Sequence, residues 1–392
     1  MGDLGGEKAI FFTTNYSNSS LNMKIERIDL YYLEIPFIYL FKTNGINIDS
    51  HSCLIVKIYS DGLIGYGECP TFNEPFYNYE TITTAHHILT DFLIPLLLQK
   101  NINSPQEITQ ILSPVRGHQM AKSALDCAVW DLFAKKNNLP LWKYIGGVRE
   151  KVTVGVSVSL QSSVVNLVER VSSYVEEGYQ RIKLKISPDN ALSCLTAIRE
   201  SYPDLMLMGD ANSVFSLRDI GLFKQLDDLN LLMIEQPLAY DDLLEHSQLQ
   251  SQIKTPLCLD ESINSVNDSL NAIALKSCQI INLKQSRVGG ITNTIKIHNI
   301  CEKGGIKLWC GGMLESGIGR AVNLHIASLP LFQLPADISA TNRYFKEDII
   351  AQNITLNAQD STINIPQKAG IGVDIDEDKL EKFTLWQESF MG

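Results

Sequence analysis

Residues 181–187 read Arg-Ile-Lys-Leu-Lys-Ile-Ser, with apolar and charged positions alternating. Strand side chains alternate between two faces, so Ile182, Leu184 and Ile186 share one face and Lys183 and Lys185 the other. The run alone fits an edge strand whose solvated lysines discourage edge pairing. It also fits a strand whose lysines point into a polar interior.

The rest of the pattern bears on that choice. From about residue 150, short apolar runs alternate with amphipathic stretches: 151–160, 181–187, 205–212, 231–238, 255–262, 279–286, 306–312 and 332–339. Strands alternating with helices predict a parallel sheet. Eight such units predict a closed β/α barrel, with an open sheet of six to eight strands as the alternative. No glycine-rich dinucleotide loop follows the first strand.

Residues 23–70 predict strands, with a hairpin at Asp61-Gly62, and residues 81–145 predict helices. Met120, Ala124, Cys127, Ala128 and Leu132 recur near helical spacing. The adjacent His86 and His87 cannot share a helix face, which favours helix surface over metal binding. The tail beyond about 350 predicts strands and a glycine-rich loop packing back on the N-terminal part. Residues 1–22 lack the basic start and apolar stretch of a signal peptide. They predict a disordered extension or an alternative start. The expected division is therefore an extension over 1–22, a capping domain over 23–148, a barrel over 149–350, and a segment over 351–392 returning to the cap.

Composition narrows the function. Of 392 residues, 45% are hydrophobic and 20% charged, which supports a large core. The net charge of −11 argues against a nucleic-acid partner. No stretch approaches the ~20 apolar residues of a membrane helix. The eight cysteines form no CxxC pair, which predicts reduced, mostly buried thiols and a cytoplasmic location. A homo-oligomer is left open.

The chemistry lies at the ends of the middle runs. Lys185, Asp210, Glu235, Asp260 and Lys284 follow one another at intervals of 25, 25, 25 and 24 residues. One strand–helix unit fits that interval, so each charge would sit at the C-terminal end of a successive strand, where barrels keep their chemistry. Each has a plainer reading: Asp260-Glu261-Ser262 as a helix start, Asp210 and Asn212 as turn residues, Glu235 as a solvated strand end. The common interval favours a site. Converging carboxylates repel one another unless a cation neutralises them, and oxygen ligands suit Mg²⁺. Such an ion acidifies the α-hydrogen of a bound carboxylate, which a lysine can then remove. Lys183, on the same face, and the ion are expected to depress the pKa of Lys185 so that it serves as a base.

These residues resemble a known family. Lys-Leu-Lys at 183–185, Asp-Ala-Asn at 210–212, Ile-Glu-Gln-Pro at 234–237, Asp-Glu-Ser at 260–262, and the runs 283–290 and 311–319 are similar to the enolase superfamily in its muconate-lactonizing branch. The stretch 117–132 is similar to that family's capping domain. The resemblance implies a (β/α)7β TIM-like barrel under an α+β capping domain built from both termini. It implies Asp210, Glu235 and Asp260 as ligands of Mg²⁺, for which Mn²⁺ can substitute, and Lys185 and Lys284 as catalytic groups on opposite faces of a small carboxylate substrate.

Loops around 37–46 and 70–80 should close over that substrate, with Phe37, Tyr39, Phe41 and Phe72 as candidate walls. Lys183, Asn212, Ser157, Gly312 and Met313 are candidate substrate-binding residues. Residues 154–160 and 335–349 resemble the o-succinylbenzoate synthase / N-acylamino acid racemase group. That implies syn dehydration of 2-succinyl-6-hydroxy-2,4-cyclohexadiene-1-carboxylate in menaquinone or phylloquinone synthesis, with N-succinylamino acid racemization as the alternative or second activity. If the Arg287 guanidinium lies near Lys284, it should lower that lysine's pKa and favour racemization. The eighth strand lacks the Asp-x-Asp pair of dipeptide epimerases, so no clamp for a substrate ammonium is evident. Outside the family, a Schiff-base lysine barrel and a non-catalytic metal-binding barrel are the competing readings.

Overall fold

The computed structural model describes residues 22–43, 46–98 and 100–392. The expected extension over 1–22 lies outside the described residues, Asn22 apart. Three strands, β1 (Arg27–Thr43), β2 (Ile46–Ser60) and β3 (Leu63–Cys69), form an antiparallel meander. The C-terminal strand Thr384–Met391 pairs with β1, so the chain's end returns to its beginning. Asp61 (φ 50°) and Gly62 (φ 75°) turn β2 into β3. Two consecutive positive φ values are what a twisted two-residue hairpin requires.

Helix α1 (Gln119–Lys136) lies on this sheet, buried on nearly every side. Its approach depends on β3 glycines. A Cβ on Gly67 would stand 1.9 Å from the Ala124 carbonyl oxygen, and one on Gly65 2.1 Å from that of Ala128. The far side of α1 docks on the barrel. The Thr292 hydroxyl donates to Asp126 at 2.6 Å, and Trp130 Nε1 donates to the Thr292 oxygen at 2.8 Å.

The barrel strands are β4 (Val156–Val158), β5 (Arg181–Lys185), β6 (Met206–Asp210), β7 (Ile234–Glu235), β8 (Leu257–Leu259), β9 (Ile280–Leu283) and β10 (Lys307–Cys310). All seven are parallel and ordered by sequence. The eighth run forms no regular strand, because Pro335 lacks the N–H that a ladder needs. Its backbone nevertheless closes the ring: Asp337 N–H donates to Cys310 O at 2.8 Å, Ala336 N–H to Thr153 O at 2.8 Å, and Gly155 N–H to Ala336 O at 2.9 Å. The open-sheet alternative is thereby excluded.

The first run also splits, at Gly155, where a Cβ would meet the Arg181 side chain at 2.2 Å. Lys151–Thr153 turns away to pair with Thr362–Asn364. That part of the tail packs on the start of the barrel rather than on the cap.

Strand β5 lies between β4 and β6, so it is not an edge. Ile182, Leu184 and Ile186 join the main core outside the ring. Lys183 and Lys185 face inward, above a plug of Met208, Met233, Cys258, Ile280 and Trp309. His86 meets Glu388 and His87 meets Asp91. All cysteines but Cys194 are buried, and none is disulfide-bonded. Among the described residues, no helix is long and apolar enough to cross a membrane.

Candidate active site

Strand register builds the site. Lys185 stands opposite Asp210, and Asp210 opposite Glu235, each the last residue of its strand. Strand β8 ends at Leu259 and β9 at Leu283, so Asp260 and Lys284 follow one step later. The sequence interval is thus one strand and its return helix.

The charges meet directly. Lys185 Nζ donates to Asp210 Oδ2 at 2.7 Å and to Asn212 Oδ1 at 2.6 Å. Lys183 Nζ lies 3.2 Å from Asp210, 3.2 Å from Glu235 and 2.8 Å from Asp337. On the far side, Lys284 Nζ donates to Asp260 Oδ2 and to the Tyr77 hydroxyl, both at 2.9 Å. Arg287 donates to the same hydroxyl at 2.9 Å and pairs with the other Asp260 oxygen. Asn282 donates to Glu235 at 2.6 Å.

These partners set the electrostatics. Burial raises the Asp210 pKa, but Lys185 and Lys183 outweigh it and leave the carboxyl below its usual range. Burial likewise works against Asp260, and Arg287 and Lys284 hold it well down. Glu235 is pushed up to about 8 by burial and by Asp210. Glu261, raised to about 7 by burial and Asp260, has a buried Oε2 without a hydrogen-bond partner. At Glu235 and Glu261 the crowding of buried carboxylates therefore exceeds what the flanking ammonium groups compensate. Asp210, Glu235 and Asp260 offer an all-oxygen donor set of the kind hard divalent cations prefer, and a cation relieves this like-charge crowding.

The candidate residues come together around one cavity. Lys183, Lys185, Asp210, Asn212, Asp260 and Lys284 line it, as do Ser157, Gly312 and Met313, while Glu235 lies fully buried at the Lys183 end. Phe41 and Phe72 also form its walls. Phe37 instead packs on Phe345 and Tyr344, and Tyr39 is exposed beside a neighbouring cavity.

Lys183 keeps the charge on which the expected repulsion of Lys185 depends: burial lowers its pKa, but Asp337, Glu235 and Asp210 leave it well above the usual lysine value. The expectation for Lys284 changes. Arg287 does lie near Lys284, yet Lys284 ends above the ordinary lysine range. Burial, the largest single effect, and Arg287 pull it down, but Asp260, Tyr77 and Glu261 together pull harder in the other direction.

The sequence reading missed Asp337, Tyr77 and Asn282 as partners of the charged groups. Asp337 follows Cys310 by 27 residues, close to the interval of the other strand ends, and that spacing was a usable signal. Tyr77 comes from a cap loop and carries no such signal.

A second buried cluster, His51, Cys53 and Glu68, has ligand-type atoms close together. Its chemistry is different. Glu68 already accepts from His51 Nε2, Ser316 N–H, the Ser316 hydroxyl and Gly319 N–H. These bonds tie the cap sheet to the first turn of helix α2 (Gly317–Ile326) and leave Glu68 little capacity for a metal.

Comparison with known proteins agrees with this architecture. Residues 38–146 match the mandelate racemase / muconate lactonizing enzyme N-terminal domain, and residues 166–379 match the enolase C-terminal domain-like family. The chain belongs to the enolase superfamily. Members of this superfamily bind a divalent metal ion. The chain is 43% identical to an o-succinylbenzoate synthase of Bacillus subtilis (strain 168), over 94% of this chain and 99% of that one. It is 42% identical to an N-succinylamino acid racemase of Thermus thermophilus, over 93% and 98% respectively. A crystal structure of an enolase superfamily member from Listeria innocua superposes with a TM-score of 0.92 at 42% identity, covering 94% of this chain and 99% of that one.

Proposed function

We propose that this chain is an o-succinylbenzoate synthase, which dehydrates 2-succinyl-6-hydroxy-2,4-cyclohexadiene-1-carboxylate. The observation that carries the reading is two lysines flanking a buried carboxylate trio, Lys185 beside Asp210 and Lys284 beside Asp260. Near-full-length similarity to the Bacillus enzyme supports the substrate class.

Asp210, Glu235 and Asp260 would hold Mg²⁺, which neutralises the substrate carboxylate, acidifies the adjacent C–H and competes with the lysines for carboxylate oxygens. Lys185, as free amine, takes the proton from the carbon bearing that carboxylate. The C–H electron pair is first held on the substrate carboxylate as an enediolate anion. It then forms the new ring double bond as the C–O bond breaks, and the Lys185 ammonium returns its proton to the departing hydroxyl on the same face. Lys284 stays positive opposite and stabilises the intermediate anion. Asn212 positions the Lys185 amine. Lys183 stays charged between Asp210, Glu235 and Asp337.

N-succinylamino acid racemization is the second activity. It is favoured by the placement of Lys284 across the cavity from Lys185 and by the Thermus relative. It needs both lysines to exchange protons. Residues 23–148 would form the cap and residues 149–350 the barrel; of the segment 351–392, the strand Thr384–Met391 joins the cap and Thr362–Asn364 the start of the barrel.

The test is turnover of the cyclohexadiene carboxylate to the aromatic product, followed by absorbance. Conversion dependent on a divalent ion supports the reading. Absence of conversion by folded, Mg²⁺-loaded protein removes it.

A further inference from the structure

Phe41 and Tyr344 separate the active-site cavity from a second cavity walled by Tyr39, Leu160, Arg170, Tyr174 and Arg343. Every cation lining the first cavity has a carboxylate partner: Lys183 with Asp210, Glu235 and Asp337, Lys185 with Asp210, Lys284 with Asp260, and Arg320 with Asp348. Arg170 and Arg343 do not. Among the described residues, no carboxylate lies within ion-pair distance of either.

Arg343 is nonetheless carefully held. Its guanidinium lies 5.1 Å from the ring centre of Tyr174 and 5.2 Å from that of Tyr344. One Nη donates to the Ser157 carbonyl at 3.3 Å, and the buried Nε has no partner. Ser157 also lines the first cavity, so Arg343 sits at the boundary of the two. A fixed, permanently charged fork with free donors is suited to a planar carboxylate.

We infer that Arg343, with Arg170 beside it, binds the distal carboxylate of the substrate's succinyl arm, which leaves the active-site cavity past Phe41 and Tyr344. This rests on the proposed function, because that substrate carries a second carboxylate on a flexible arm while its first is engaged at the strand ends. A neutral acyl tail leaves the same donors unsatisfied. Arg343 therefore sets the preference for succinyl over uncharged acyl groups.

Titration calorimetry on the Mg²⁺-loaded full chain tests this with two probes, o-succinylbenzoate and 2-butanoylbenzoate, which differ by a carboxylate in place of a methyl group. Wild type should prefer the succinyl compound by about tenfold to a hundredfold, the range of a charged hydrogen bond. Arg343→Gln should abolish most of that preference, Arg343→Lys should keep part of it, and Arg170→Gln should lose less. The lysine variant carries the test if the glutamine variant does not fold. An unchanged preference in the Arg343 variants, or equal binding of both probes by wild type, overturns the inference and leaves the proposed function standing. Binding of neither probe by wild type removes both.

Discussion

Lys185 and Asp210 stand opposite each other at the ends of two neighbouring parallel strands, with Nζ 2.7 Å from Oδ2. The same carboxylate meets Lys183 at 3.2 Å. One acid thus faces both lysines of the alternating run. Lys183 is buried among three carboxylates and fixes charge. Lys185 is slightly more exposed, faces the cavity and, in the proposed chemistry, is the group that would transfer the proton.

Removal of divalent ions should abolish turnover, and Mg²⁺ or Mn²⁺ should restore it. Stability gives a readout independent of activity. An ion present at a hundred times its dissociation constant should stabilise the fold by about 2.7 kcal/mol, seen as a rise in Tm. Asp210→Asn together with Glu235→Gln should lose that rise. Full activity in a metal-stripped sample would contradict the proposed chemistry.

Asp337→Ala should destabilise the chain by about 3–5 kcal/mol, because it takes the 2.8 Å partner from buried Lys183. Urea melts measure this. The double variant Lys183→Met/Asp337→Leu should recover part of the loss in stability, though not activity. A loss below about 1 kcal/mol for Asp337→Ala would show that Asp210 and Glu235 suffice to compensate Lys183.

The cap's seating is testable at one atom. A methyl group at Gly67 would stand 1.9 Å from the Ala124 carbonyl oxygen. Helix α1 is clamped on its other side by Thr292, so it cannot simply retreat. Gly67→Ala should cost about 3 kcal/mol, whereas Gly62→Ala, with open space around it, should cost only the strain of its positive φ. Equal melting temperatures for the two variants would refute this packing.

His325 predicts acid sensitivity. Its Nδ1 accepts from Trp142 N–H at 3.0 Å, and Nε2 donates to Ile371 O at 2.9 Å, so the ring is held neutral. Burial lowers its pKa to about 4. A folded pKa below the unfolded ~6.5 gives stability that is complete above pH 6.5 and is lost as pH falls toward 4, about 3 kcal/mol in all. His325→Asn keeps an acceptor but does not titrate. It should flatten the dependence of urea-melt stability on pH in that window, and an unchanged slope would assign the acid sensitivity elsewhere.

The strand ends were legible because each carried one charge at a fixed interval, from Lys185 to Lys284. The barrel's order followed from alternation alone. What stayed hidden was set by contacts without a local signature. Pro335 breaks the eighth strand yet leaves the ring closed through backbone bonds of Ala336 and Asp337. Gly155 divides what reads as one ten-residue strand, because the Arg181 side chain occupies the space of a Cβ. Tyr77 reaches Lys284 and Arg287 across more than 200 positions. The pairing of Lys183 with Asp337 went unread, although Asp337 stands on the eighth run at close to the common interval.

Proton exchange at the two lysines tests the central claim most directly. The proposed chemistry puts Lys185 on one face of the substrate and Lys284 on the other. Each enantiomer of an N-succinylamino acid is incubated in D₂O with the Lys185→Arg and Lys284→Arg variants, since guanidinium keeps the charge but does not deprotonate. NMR then follows deuterium at the α-carbon. Each variant should lose exchange from one enantiomer only, and the two losses should fall on opposite enantiomers. Dehydration should vanish in Lys185→Arg and survive in part in Lys284→Arg. Loss of exchange from the same enantiomer in both variants would contradict the account, because the lysines would not flank the substrate.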